Sequence, residues 1–181
     1  MLPALELISV AALLMQDATI QLQADAEPVW SSGSWQVYSY PDEDMCDIGF
    51  PTESGEYVTI GYSPKNKTAN LLVTNRYATS LKTGDRRKLQ VFFGNSPAQP
   101  ALVEHTLLFE VVKLGEQRAF SAAETYPSFL RDFASHSVMS VMAPTGKAVA
   151  AIQLKGSAEA VKQLRQCALQ AAEMDPRDPF S

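Results

Sequence analysis

The chain has 181 residues, a formal net charge of -5, and 46% hydrophobic against 19% charged residues. This length and composition predict one globular domain with its own core, and the acidic balance gives a nucleic-acid partner no electrostatic support. The two cysteines are too few for a disulfide framework but sufficient for one bridge.

The N-terminus carries an apolar run at residues 7–15, followed by the small-residue triplet ADA at 24–26. This combination is typical of a secretory signal peptide, so we expect residues 1–26 to be removed before Glu27. No Lys or Arg precedes the run, and the alternative is a short buried or amphipathic helix of the domain. Export would place the mature chain in the periplasm or outside the cell, whereas without it the chain would be cytoplasmic. No later segment is long and apolar enough to span a membrane.

From Trp30 onward the pattern changes to short stretches that are rich in β-branched and aromatic residues. Turn residues such as Gly, Pro, Asn and Asp separate these stretches. The segments that we interpret as strands are 35–40, 45–50, 57–62, 70–74, 88–93 and 106–112. Six short strands with tight connections favour an antiparallel sheet over βαβ units.

A helix and a hairpin follow these strands. Pro127 suits the first helical position, and the apolar face of this helix would consist of Phe129, Leu130, Phe133 and Ala134. The apolar segments 138–143 and 147–154 flank the Pro-Thr-Gly turn at 144–146. They predict a hairpin whose second strand, with its small alanines, would allow the C-terminal helix that begins near Ser157 to pack closely over it.

The last predicted element is a helix that begins near Ser157. This residue follows Gly156 and is a good N-cap, and Glu159 suits the positive end of the helix dipole. Helical spacing would place four residues on the inward face: Ala160, Leu164, Cys167 and Ala171. Prolines end the helix, so we predict a domain at 27–175 and a polar tail at 176–181.

These elements predict an α+β fold. An antiparallel sheet of seven or eight strands, curved or folded into two layers like a β-sandwich, would be covered by the C-terminal helix and the short internal helix. If the last helix packs near the strand that contains Cys46, the sulfur atoms of Cys46 and Cys167 can form a disulfide. The alternative is two separate buried thiols, each packing as a small hydrophobe.

The sequence offers little evidence of chemistry. His105 and His136 are isolated and belong to no metal-ligand or catalytic motif. The acidic run at 42–47 lacks the spacing of an EF-hand loop, and its carboxylates disfavour the thiolate that a nucleophilic Cys46 would need. We therefore predict no catalytic residue, no cofactor and no metal site.

Several features together resemble a known class of proteins. A Trp-x-Val strand at 35–37 precedes Cys46, a Phe-rich helix leads to a Pro-x-Gly hairpin, and LKGSAEA at 154–160 precedes Cys167. This pattern resembles small exported proteobacterial proteins and, more distantly, the invasion-associated locus B family. The resemblance implies an exported, non-enzymatic domain associated with the cell envelope, and it supplies no catalytic residue.

The leading hypothesis for function is an exported, non-catalytic binding or structural domain whose partner is a protein or an envelope component. The alternatives are an enzyme with a cleft over the sheet and a carrier with a hydrophobic cavity inside a curved sheet. Converging titratable side chains in one pocket would favour the enzyme, and an enclosed apolar cavity would favour the carrier. A solid core with an exposed aromatic patch would favour the binding domain.

Overall fold

A computed structural model describes residues 27–51, 56–96, 101–114, 117–125 and 127–173. The predicted signal peptide at 1–26 and the predicted polar tail at 176–181 lie outside these residues. The strands are β1 (Trp30–Ser32), β2 (Trp35–Tyr40), β3 (Met45–Pro51), β4 (Tyr57–Ser63), β5 (Thr68–Asn75), β6 (Arg86–Gly94), β7 (Val103–Leu114), β8 (Gln117–Thr125), β9 (Val138–Met142) and β10 (Ala148–Gln153). The helices are α1 (Pro127–Ser135) and α2 (Ser157–Ala171), and a 3₁₀ turn, Pro41–Glu43, joins β2 to β3. None of the helices in the described ranges is both long and apolar enough to cross a membrane.

Ten strands in the described part of the chain form one sheet, in the order β1-β2-β3-β4-β5-β8-β7-β6-β9-β10. Neighbouring strands run antiparallel throughout. The α+β class and the antiparallel sheet are confirmed, and each predicted strand is present. The prediction missed β1 and β8. The sequence of β8, QRAFSAAET, contains small and polar residues where most strands carry β-branched ones.

The core lies on the face of the sheet that α1 and α2 cover. Its fully buried side chains include Phe93, Phe109, Phe129, Phe133 and Leu164. Trp35 links the sheet to this helical layer, because its ring centroid lies 4.5 Å from that of Phe50 on β3 and 5.5 Å from that of Phe133 on α1. Its indole nitrogen also donates to the carbonyl oxygen of Lys155, just before α2, at 2.7 Å.

The two ends of the sheet are not equivalent. β10 approaches β5, which stands five places away in the strand order. The side-chain amide of Asn75 on β5 donates to the carbonyl oxygen of Val149 on β10 at 2.7 Å. This bond joins the last strand of the sheet to its middle, whereas β1 pairs with β2 alone among the described strands.

The start of α2 differs from the prediction. The N-cap is Gly156, which has a φ of 89° and makes no side-chain capping bond, and Ser157 is already helical. A β-carbon at Gly156 would lie 3.2 Å from the Trp35 ring, so glycine allows both the left-handed backbone and the close approach. The predicted N-cap role of Ser157 is therefore wrong, because its hydroxyl donates instead to the carbonyl oxygen of Phe133 at 2.8 Å.

The disulfide prediction is confirmed. Cys46 on β3 and Cys167 on α2 are bonded, with their Cα atoms 6.0 Å apart and 121 positions between them in sequence. α2 packs mainly on β2 and β3, and not on the alanine-containing strand β10 as predicted. This position brings Cys167 on its buried face to Cys46. The bridge ties the last helix to the first half of the sheet, and the alternative of two free thiols is excluded.

Candidate functional site

The strands β2 to β5 have a second face, opposite to the helices. Side chains alternate along a strand, so Cys46 and Ile48 enter the core while Asp47 and Gly49 point the other way. We call this surface the tyrosine face. It consists of Gln36, Tyr38, Tyr40, Met45, Asp47, Gly49, Tyr57, Thr59, Gly61, Ser63 and Asn70. It is polar and aromatic, and Tyr38, Tyr40 and Tyr57 are partly exposed on it.

Two glycines allow large side chains to lie flat on the tyrosine face. A β-carbon at Gly49 would collide with the Tyr57 hydroxyl and lie 3.3 Å from the Tyr38 ring. A β-carbon at Gly61 would lie 2.7 Å from the terminal methyl group of Met45. The Tyr57 ring therefore crosses β3 at Gly49, and the Met45 side chain crosses β4 at Gly61.

Asp47 is the buried charge of the tyrosine face, with 8% of its surface exposed. Burial raises its pKa to about 7 from an ordinary value of 3.8, a hydrogen bond from Tyr40 lowers it, and the neighbouring Glu43 carboxylate raises it further. Burial also raises the pKa of both Tyr40 and Tyr57, and the charge of Asp47 adds to this effect. The phenols therefore stay neutral at physiological pH while Asp47 titrates within that range.

Four buried side-chain oxygens on the tyrosine face have no hydrogen-bond partner among the described residues. They are Asp47 Oδ1, Thr59 Oγ1, Ser63 Oγ and Asn70 Oδ1. All four surround Gly61: Asp47 and Asn70 flank it on the neighbouring strands, and Thr59 and Ser63 stand two residues before and after it. We call this group the Gly61 notch. Buried polar atoms without partners are costly and rare, so a cluster of four indicates a place that a polar group fills.

The structure brings the two histidines together, although they are isolated in sequence. His105 Nε2 on β7 lies 2.9 Å from the Asp132 carboxylate on α1, and both side chains are mostly buried. His136 Nδ1 donates to the backbone carbonyl of Asp132 at 2.8 Å, and both imidazole rings pack 5.8 Å from the Phe93 ring.

These histidine contacts connect β7 and the start of β9 to α1. The Ser135 hydroxyl lies 3.4 Å from His136 Nδ1 and donates to the carbonyl oxygen of Arg131 at 2.8 Å. That hydroxyl is not poised to transfer its proton to an imidazole. The arrangement therefore favours a structural role over a nucleophilic one.

An open cleft of about 730 Å³ lies between α1 and α2. Its floor is apolar, with the buried side chains of Leu130 and Val161, and its rim carries Arg131, Lys162 and Arg165. Long, exposed basic side chains on a helix surface are common and carry little information by themselves. The cleft is open to solvent and does not resemble the enclosed cavity of a carrier.

Comparisons with known proteins give no further guidance. No protein-family model, curated protein or solved structure matches the chain. The resemblance to the invasion-associated locus B family therefore stays a prediction. The function has to be argued from the site alone.

Sequence reasoning missed this site. It assigned Asp47 no role beyond an acidic run without calcium-binding spacing, whereas the structure buries Asp47 beside Tyr40. The signal that could have found the site is the alternation in β4, where Tyr57, Thr59, Gly61 and Ser63 are polar or small and the residues between them are apolar or aromatic. Such alternation predicts which residues of a strand lie on the face away from the core, and the tyrosine face is that face.

Proposed function

We propose that this chain is an exported, non-catalytic binding domain whose ligand contacts the tyrosine face. The observation that carries the proposal is the Gly61 notch, in which four buried oxygens lack partners on the same face as three partly exposed tyrosines. Rigid aromatic side chains beside polar groups are typical of binding sites, because they offer contact area at a low cost in conformational entropy.

The disulfide supports the export part of the proposal. A bridge between Cys46 and Cys167 persists in an oxidising compartment and is rare in a reducing cytosol. We place the mature chain in the periplasm or outside the cell, with an envelope component or an envelope protein as its partner. The resemblance to exported proteobacterial proteins points the same way.

We also propose that the sheet is curved and not split into two layers. The hydrogen bond between Asn75 and Val149 supports this form, because a flat sheet would hold β5 and β10 far apart. Large buried side chains such as Phe93 and Phe109 occupy the helix-covered face, which disfavours the carrier hypothesis. The enzyme hypothesis would have to use the His105–Asp132 pair. This pair connects β7 to α1, which favours a structural role.

Nuclear magnetic resonance tests the proposal directly. The full chain, ¹⁵N-labelled and purified with its disulfide intact, would be titrated separately with a primary amine, a neutral sugar, a carboxylate and a non-ionic detergent. We expect at least one class to shift the amide signals of Tyr38, Asp47 and Gly61. Shifts confined to the α1–α2 cleft, or no shift with any class, would overturn the proposal.

A pair of tyrosine variants controls for general effects. Tyr38→Ser removes a ring from the tyrosine face and should weaken the response at Asp47 and Gly61. Tyr77→Ser removes a tyrosine that is 77% exposed and lies just past the end of β5, outside that face, so it should leave the response unchanged. Equal loss in both variants would show that the shifts do not report binding at the tyrosine face.

A further inference from the structure

We propose that the ligand of the tyrosine face carries a primary ammonium group, and that Asp47 is its counter-ion. This inference rests on the proposed function and names the chemical class that the Gly61 notch would take. Three features favour an ammonium group: the charge of Asp47, the kind of atoms in the notch, and the side chain that covers it.

The carboxylate of Asp47 lacks a positive partner. Lys65, the basic residue that reaches the adjacent acidic turn, pairs with Asp44 at 2.7 Å instead. No Lys, Arg or His of the described ranges forms an ion pair with Asp47, and its Oδ1 atom has no hydrogen-bond partner there. A buried carboxylate is normally either paired with a cation or neutralised by a proton, so a bound cation would supply the partner that the charged form of Asp47 lacks.

The atoms of the Gly61 notch match an ammonium group. Asp47 Oδ1 and Asn70 Oδ1 can only accept hydrogen bonds, and the hydroxyls of Thr59 and Ser63 can accept as well as donate. An ammonium group has three donors and no acceptor. It would satisfy several of these oxygens while its charge compensates Asp47, whereas a neutral sugar would leave that charge unpaired.

A metal ion fits the notch less well. No group of three or more His, Cys, Asp or Glu side chains that could hold a metal occurs in the described part of the chain. The notch itself contains one carboxylate, Asp47, beside an amide and two hydroxyls. Protein calcium sites usually gather several charged oxygens around the ion, so a single carboxylate favours a singly charged organic cation.

The Met45 side chain covers the notch, and a change of its rotamer would open the notch to a ligand. Its terminal methyl group lies over Gly61, between Asp47 and Asn70. Met45 is partly exposed, and a methionine side chain changes rotamer easily because it is unbranched. An aliphatic stem that ends in an ammonium group could take the place of the Met45 side chain, with its charged end at Asp47.

Ligand binding should depend on pH, because a proton competes with the ammonium group for Asp47. The titratable groups that act on Asp47 are Tyr40 from β2 and Glu43 from the turn, and Asp47 acts in turn on Tyr57 from β4. The facing residue from β5, Asn70, does not titrate. Because Asp47 is half-protonated near pH 7, the fraction of the protein with a charged Asp47 rises by roughly tenfold from pH 6 to pH 8. The affinity for an ammonium group should rise with that fraction.

The test uses n-butylammonium as the probe, and its binding is measured from the amide signals of Asp47 and Gly61. The buffer is phosphate, because Tris itself carries a primary ammonium group. Three comparison compounds separate the contributions. Tetramethylammonium has the charge without N–H donors, n-butanol has the stem without the charge, and glucose has neutral hydroxyls. We expect n-butylammonium to bind at least tenfold more tightly than each of them, and roughly tenfold more tightly at pH 8 than at pH 6.

Matched variants locate the counter-ion. Asp47→Asn should weaken n-butylammonium binding at pH 8 at least tenfold, whereas Asp42→Asn, which neutralises an exposed carboxylate of the same acidic run, should change it less than twofold. Asn70→Leu removes a second acceptor and should also weaken binding, which keeps the test valid if Asp47→Asn does not fold. Met45→Ala removes the cover and should strengthen binding.

The outcomes separate this inference from the proposed function. If glucose or the detergent shifts the tyrosine face and n-butylammonium does not, the ammonium assignment is wrong and the binding face stands. If no compound shifts that face, both fall. Equal binding to wild type and to Asp47→Asn, or equal binding at pH 6 and pH 8, would show that Asp47 is not the counter-ion.

Discussion

Cys46 and Asp47 are neighbours on β3, yet their side chains lie on opposite faces of the sheet. Cys46 is bonded to Cys167 of α2 on the helix-covered face, and Asp47 occupies the tyrosine face with one unpaired oxygen. The disulfide therefore fixes the strand that carries Asp47, and it does so from the helix-covered face. The disulfide and the buried carboxylate therefore belong to adjacent residues of the same acidic segment.

The disulfide should contribute strongly to stability. Replacing both cysteines, as Cys46→Ala with Cys167→Ala, opens a loop of 121 positions, and the chain-entropy model gives a loss of up to about 4–5 kcal/mol. Urea denaturation of the variant and of wild type measures the difference. Wild-type protein should resist thiol alkylation in denaturant until a reductant is added, and two thiols that react without reductant would contradict the bridge.

The fold was largely predictable because its strands and last helix carry strong local signals. The β-branched and aromatic stretch at Tyr57–Ser63 and the helical spacing that turns Cys167 inward both depend on neighbouring residues alone. The helical spacing also turned Cys167 inward, and the bridge was then predicted on the condition that the last helix packs near the strand that contains Cys46.

The parts that could not be predicted depend on contacts between distant segments. Ser157 was expected to cap α2, but Trp35, which is 121 positions away from Gly156, approaches so closely that Gly156 takes the cap position. Asp47 is buried on β3 and interacts with Tyr40 and Tyr57, which come from two other strands. No pattern within β3 or at the start of α2 encodes either outcome.

Ser157 should stabilise the contact between the two helices. Its hydroxyl is buried and donates to the Phe133 carbonyl, so Ser157→Ala leaves that buried acceptor without its partner and should cost about 1–3 kcal/mol. Thermal and urea denaturation measure the loss. Ser135→Ala, at an exposed hydroxyl that bonds within α1, serves as the control and should cost less. An equal effect in both variants would show that the link between α1 and α2 is unimportant.

Export predicts a specific mature N-terminus. The ADA triplet at 24–26 places the cleavage site before Glu27. Mass spectrometry of the protein isolated from its native host should therefore find a chain that begins at or near Glu27. Folded protein that retains Met1 would contradict export and would favour the alternative in which residues 7–15 belong to the domain.

The histidines should matter for stability and not for turnover. His105→Gln weakens the buried bond to Asp132 and should lower stability by about 1–3 kcal/mol, as expected for a buried polar group that loses its partner. Broad hydrolase and oxidoreductase screens of wild type should find no activity. Robust turnover that disappears in His105→Gln, while the variant remains folded, would overturn the non-catalytic proposal.

Asp47 should make the protein less stable as the pH rises. In the folded state its pKa is about 7, against 3.8 as the ordinary value, so between these values the folded chain binds the proton more tightly than the unfolded chain. The free energy of unfolding should therefore fall as the pH increases from about 4 to about 7 and stay low above that range. Because each tenfold difference in proton affinity between the two states corresponds to about 1.4 kcal/mol, the loss is about 4 kcal/mol at most.

Asp47→Asn removes this titration and should abolish the pH-dependent loss. In amine-free phosphate buffer, the variant should match wild type near pH 4 and exceed its unfolding free energy by up to about 4 kcal/mol at pH 8. Asp42→Asn, at an exposed carboxylate, is the control and should retain the wild-type dependence. Adding n-butylammonium at pH 8 should stabilise wild type and leave Asp47→Asn unchanged, because a ligand stabilises only the folded state that binds it. A variant less stable than wild type at pH 8 would mean that Asp47 already has a positive partner in the folded chain.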